Sequence, residues 1–156
     1  MPRVPSDDES VASVRVDLAR SGGTRRPCVR IPTDAELDGR VESGTCDRLE
    51  LEPGDLVRVV IDGDERHARV ESDSRGRLLR GAFDDRRRAR SGTEGPNRLT
   101  EWLADIDRDP GDVVVLDVVV PGELYGLRAP GERTMYDATR GPRSSLADIA
   151  RDLDDL

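Results

Sequence analysis

The sequence predicts a mainly β protein with short helices, an α+β chain folded as a single small β-barrel or pseudobarrel from two duplicated halves, plus a C-terminal amphipathic helix. Three observations predict it. The stretch Leu51-Glu52-Pro53-Gly54-Asp55-Leu56-Val57-Arg58-Val59 returns as Arg108-Asp109-Pro110-Gly111-Asp112-Val113-Val114-Val115-Leu116, so that Val57, Val59 and Ile61 fall on Val114, Leu116 and Val118. Short runs of alternating or β-branched residues are punctuated throughout by Gly, Pro and Asp, the spacing of strands and turns. The last residues change character, with Leu146, Ile149 and Leu153 at helical spacing. The expected organisation is a disordered leader over 1–10, a duplicated β-barrel domain over 11–138, and a linker with the C-terminal helix over 139–156.

The elements follow in order. Val14, Val16 and Leu18 alternate with Arg15 and Asp17, a half-buried strand ended by Ser21-Gly22-Gly23. Arg26 to Ile31 is a short strand, and Pro32-Thr33-Asp34 leads into a brief helix with acids in its first turn. The stretch to Asp47 reads as loop. In each Pro-Gly-Asp turn, Pro presets φ and Gly accepts the positive φ of a type II turn. Strand 56–61 returns through Asp62-Gly63, a tight hairpin, into Arg66 to Val70. Asp73 to Gly76 is a turn, Arg77 to Phe83 a strand, and Asp84-Asp85 open a short helix through Arg90. Asn97 caps a helix with Leu99, Trp102, Leu103 and Ile106 on one face, which packs Trp102 onto the barrel. Val113 to Val120, apolar but for Asp117, is an interior strand. Glu123 to Arg128 and Arg133 to Tyr136 complete the strands, and Ser145 caps the final helix.

Composition narrows the function. The 156 residues suit one domain, and 35% hydrophobic with 3% aromatic content makes the core aliphatic. The formal charge is −8, with every cation an Arg and no Lys anywhere. A Walker A loop and Schiff-base chemistry are thereby excluded. Abundant Asp, Glu and Arg suggest a salt-adapted cytoplasm in which a carboxylate-rich surface stays hydrated. No apolar leader and no run of about eighteen apolar residues is present, so a cytoplasmic protein outside the membrane is expected. Cys28 and Cys46 have neither metal nor disulfide-framework spacing and are expected as reduced, partly buried thiols.

The unit Val29-Arg30-Ile31-Pro32, short helix, Leu51 to Val59 resembles the half-barrel of AbrB-like and double-psi β-barrel proteins; the B3-like pseudobarrel is a neighbouring resemblance. The whole chain resembles an uncharacterised family of haloarchaeal proteins. These resemblances imply a barrel fold, with DNA binding as the function of the AbrB-like and B3-like relatives, and no catalytic residue of the double-psi enzymes finds a match here.

The densest positive charge is Arg86-Arg87-Arg88-Ala89-Arg90. Guanidinium forks grip phosphate bidentately, so Arg66, Arg69, Arg77, Arg80, Arg86, Arg87, Arg88 and Arg90 are the candidate nucleic-acid contacts; the competing reading is a solvated helix face paired with Asp84, Asp85 and other acids. Tyr125 and Arg128, around Gly126, are candidates to flank a groove. Leu146, Ile149 and Leu153 are candidates to dock the last helix on a protein partner. The lone His67 is an ordinary strand residue, since a metal site needs several convergent ligands. With no nucleophile elbow, H-E-x-x-H helix or dinucleotide turn, the expectation is a non-enzymatic nucleic-acid-binding module without metal or cofactor, with a protein-interaction adaptor as the alternative.

Overall fold

The computed structural model describes residues 3–6, 8, 11–20, 27–37, 39–44, 46, 48–91 and 95–137. The strands are β1 (Arg3–Pro5), β2 (Ala12–Arg20), β3 (Pro27–Arg30), β4 (Val41–Ser43), β5 (Leu56–Ile61), β6 (Asp64–Arg69), β7 (Glu71–Asp73), β8 (Gly76–Leu79), β9 (Val113–Val120), β10 (Leu124–Arg128) and β11 (Met135–Asp137). The helices are α1 (Asp34–Leu37), α2 (Arg86–Ser91) and α3 (Arg98–Asp105). The predicted C-terminal helix, with Leu146, Ile149 and Leu153, lies outside the described residues.

One sheet runs in the order β6-β5-β10-β9-β2-β3-β8-β7, with β4 joined to β2. All its pairings are antiparallel except β5 with β10. Its two outermost strands are a single stretch of chain broken at Val70, so the sheet must curl to place them at opposite ends of the order. The result is a mainly β fold with a curled, open half-barrel sheet, where the sequence predicts a barrel or pseudobarrel. A strand cannot ladder with its own continuation, and across the remaining gap only His67 and Phe83 exchange a pair of backbone hydrogen bonds, both 2.8 Å.

The alternation in β2 sorts its side chains as expected: Val14, Val16 and Leu18 enter the core with Val57, Val59, Ile61, Val114, Leu116 and Val118. Trp102 and Leu103 bring α3 onto the same core. The Asn97 side chain does more than cap: its Oδ1 accepts from the backbone N–H of Thr100 at 3.3 Å and of Ala82 at 3.2 Å, and its Nδ2 donates to the Arg80 carbonyl at 3.1 Å. The helix start is thereby tied to the chain leaving β8.

The two Pro-Gly-Asp turns are geometric copies. Gly54 and Gly111 have φ of 94° and 101°, as a type II turn requires. Asp55 Oδ2 accepts from the Glu52 N–H at 3.1 Å, and Asp112 Oδ2 from the Asp109 N–H at 2.8 Å. Each turn also exchanges two backbone bonds with one residue of the adjoining chain, Val70 in the first copy and Leu18 in the second. Beyond the turns the pairings diverge, since β5 lies between β6 and β10 whereas β9 lies between β10 and β2.

Three short strands escape the sequence pattern. β4 and β7 are short and polar and acquire their conformation from β2 and β8 rather than from amphipathic alternation. The stretch expected as a disordered leader supplies β1, which pairs antiparallel with β11. Ser6 fastens the pair: its N–H donates to the Thr134 carbonyl at 2.7 Å, and its Oγ accepts from the Thr134 N–H at 3.0 Å. A partner more than a hundred residues away leaves no local signature.

Candidate anion-binding surface

Asp85 opens α2 by accepting from the Arg88 N–H at 2.8 Å, an N-cap bond that sets the helix across β6. The adjacent Asp84 is the hub of the face. Arg98 grips it with two bonds of 2.9 Å, Arg66 reaches it at 2.5 Å, and Arg88 lies 3.7 Å away. Arg98 also reaches Glu101 at 3.0 Å, and Arg66 reaches Asp64 at 3.3 Å. Three guanidiniums thus share one carboxylate, and with Asp64, Asp85 and Glu101 also paired to them their forks are held in fixed orientations. The Arg98 hydrogen bond is the first cause that lowers the Asp84 pKa, and the Asp84 bond correspondingly raises that of Arg98.

Beside this hub, Arg69, Arg86, Arg87 and Arg90 are exposed. Arg69 donates to the Arg90 carbonyl at 3.2 Å, which joins the strand to the end of the helix. Among the described residues Arg86 and Arg90 make no ion pair. The competing sequence reading holds for part of the cluster, because Arg66 and Arg88 are paired with acids, while Arg86 and Arg90 are exposed.

The remaining candidates lie elsewhere. Arg77 donates to the carbonyls of Pro32 and Leu51 and so braces the chain before β5. Arg80 pairs with Glu71 at 3.1 Å on another part of the sheet. Tyr125 and Arg128 do not flank an open groove. Three positions apart in one strand, they point to opposite faces. Tyr125 is buried in the core, where its hydroxyl donates to the Leu49 carbonyl and accepts from the Gly122 N–H at 2.7 Å; burial pushes its pKa up to about 12. Burial likewise lowers the His67 pKa and raises that of Cys28, and both Cys28 and Cys46 are free thiols. Among the described residues no His, Cys, Asp and Glu group is arranged to hold a metal ion.

Arg128 instead belongs to a buried polar network that the sequence hinted at only through Asp117, the one polar residue in an apolar strand. Asp117 is fully buried. It accepts from Arg128 Nε at 2.8 Å, Ser13 Oγ at 2.6 Å and the Tyr136 hydroxyl. Arg128 Nη2 also donates to Ser13 Oγ at 3.1 Å, and its Nη1 to the Glu132 carbonyl at 2.6 Å. Burial is the leading cause that raises the Tyr136 pKa, so the phenol stays a donor at any ordinary pH. This network, shielded from solvent, ties β2, β9 and β10 to the β1–β11 ribbon.

The pKa directions fix a pH response. Asp73, held by Arg30, and Asp84, held by Arg98, both ionise below their unfolded values. Groups depressed in this way favour the fold above about pH 4 and lose that contribution as pH falls further. The melting temperature should therefore fall below about pH 4, and the gap between parent and Asp84→Asn should narrow there. A gap independent of pH in a thermal melt series would show that Asp84 carries none of this response.

No helix among the described residues is long and apolar enough to cross a membrane. No curated protein and no solved structure matches the chain. A family model does match, over residues 1–153, and it carries the description "Family of unknown function (DUF7112)" without an AbrB-like or B3-like domain assignment. A match across nearly the whole chain, on a single curled sheet with its packed helix, places this protein in the DUF7112 family of unknown function.

Proposed function

We propose that the chain is a non-enzymatic nucleic-acid-binding module, a salt-adapted half-barrel of AbrB-like or B3-like descent, whose contact face is built by β6, α2 and the start of α3. The carrying observation is the Asp84 hub. One carboxylate orients Arg66, Arg88 and Arg98 beside the exposed Arg69, Arg86 and Arg90, in a chain whose overall charge of −8 would otherwise repel a polyanion. Fixed guanidinium forks lose little entropy on meeting phosphates. The matched Pro-Gly-Asp turns support descent from a duplicated half.

The test is retention of DNA and RNA oligonucleotides across a salt series, comparing the full chain with Arg86→Ser/Arg90→Ser. Both positions are exposed, so the fold should survive. Affinity at low salt should drop about ten-fold or more, and the slope of log affinity against log salt should shrink by about 2, one per phosphate contact removed. Unchanged retention and slope would discard this face as the binding surface.

A further inference from the structure

A second concentration of arginine lies on the outer face of the sheet, away from the Asp84 hub. Antiparallel pairing sets Ala19 opposite Cys28 and Arg30 opposite Leu78, and Leu78 opposite Glu71. Period-two alternation then puts Ala19, Arg30, Arg80 and Asp73 on one side of β2, β3, β8 and β7. A hollow of about 540 Å³ opens there, lined among the described residues by Arg20, Arg30, Arg75 and Arg80 with Asp73 as the one carboxylate.

The four arginines are not equivalent. Asp73 grips Arg30 through both terminal nitrogens, one bond at 2.8 Å, and Glu71 holds Arg80 at 3.1 Å. These two form a positioned floor. Arg20 and Arg75 are exposed at the rim and make no ion pair among the described residues. Asp73 also accepts from the Arg75 N–H at 2.8 Å, fixing the turn from which that rim residue projects. Asp73 and Glu71 answer Arg30 and Arg80, while among the described residues no carboxylate pairs with Arg20 or Arg75, so the concave wall carries their positive charge.

We infer that this hollow is a seat for a phosphate-bearing ligand, closed over by Arg20 and Arg75 and backed by Arg30 and Arg80. Its volume falls within the range of about 300–1,000 Å³ typical of small-ligand sites, and paired Arg forks suit the geometry of phosphate oxygens. The seat is separate from the face of β6 and α2, and its existence does not depend on nucleic-acid binding there.

Inorganic pyrophosphate is the probe, titrated calorimetrically into the full chain at low salt. Binding should be saturable and weakened about ten-fold or more in Arg20→Ser/Arg75→Ser, as expected for loss of charge-assisted bonds, while Arg86→Ser/Arg90→Ser should bind as the parent does. Melting curves of both double variants verify that the fold is retained. No saturable heat, equal binding by Arg20→Ser/Arg75→Ser, or equal weakening in both double variants would overturn the seat. Competition with a labelled single-stranded oligonucleotide identifies the source of the phosphate. Displacement by pyrophosphate assigns it to a nucleic-acid backbone, and simultaneous binding to a free phosphorylated molecule; both outcomes support the seat.

Discussion

Asp117→Ala should cost about 3–5 kcal/mol, because it leaves the Arg128 guanidinium buried without its carboxylate. For a chain of this size the melting temperature should fall by about 6–20 °C. The side chains concerned are almost wholly shielded, with Arg128 11% and Asp117 0% exposed, so water cannot easily replace the lost partner. Tyr136→Phe removes one donor and leaves the ion pair intact, and should cost only about 1–2 kcal/mol. Replacing Ser13, Asp117 and Arg128 together by Ala, Leu and Met should recover much of the loss relative to Asp117→Ala, because no orphaned charge then remains. Thermal melts at neutral pH decide this. An Asp117→Ala protein that melts within about 2 °C of the parent would mean that Arg128 finds water, and that the network does not fasten the ribbon.

Gly126→Ala should destabilise by about 3 kcal/mol, the upper part of the range for overpacked cores. A Cβ at this position would lie 2.1 Å from the Tyr136 hydroxyl and 2.3 Å from two ring carbons. The ring cannot yield cheaply, because it is buried and its hydroxyl is bonded to Asp117. The substitution therefore forces apart β10 and the ribbon that covers it. Removing the obstruction should remove the cost: in a Tyr136→Ala background, Gly126→Ala should be almost neutral, giving a coupling of about 3 kcal/mol in a double-mutant cycle by denaturant unfolding. Additive effects would show that Gly126 is present for backbone conformation and not to admit the ring.

Much of this architecture could be read from residues alone. Alternation in β2, the Asp62-Gly63 hairpin, the Asn97 cap and the Leu99, Trp102 and Leu103 stripe are local patterns, and local patterns are what a sequence displays. The Pro-Gly-Asp turns were legible in their backbone because Pro and Gly each do one thing in such a turn. What stayed hidden was non-local. The bond from Arg128 to Ser13 spans 115 positions and that from Ser13 to Asp117 spans 104, and nothing about Ser13 in isolation distinguishes it from a solvated strand serine. Gly126 stands out within an apolar strand, yet the group it admits, Tyr136, cannot be named without β11 in place.

The candidate surface was legible in composition but not in partition. The Arg86 to Arg90 run announces itself, whereas the assignment of Arg77 to the carbonyls of Pro32 and Leu51 depends on which way one short strand faces. Arg98, the strongest partner of Asp84, escaped the sequence reading because it sits just inside a helix whose apolar stripe drew attention instead. Arg20, Arg30 and Arg75 are scattered over three turns and strands, and only the sheet order makes them neighbours.

The placement of β6 and β7 at the two ends of the sheet bears on how this chain avoids aggregation. Free sheet edges invite foreign strands, and the usual defences are shortness, charge and cover. Here all three occur. β7 is three residues long with Glu71 and Asp73 among them, while the outer side of β6 is occupied at its centre by the His67 and Phe83 exchange and lies against α2. An open half-barrel ordinarily presents two adhesive rims. Here the bend at Val70 leaves neither rim as a long, bare edge for a foreign strand.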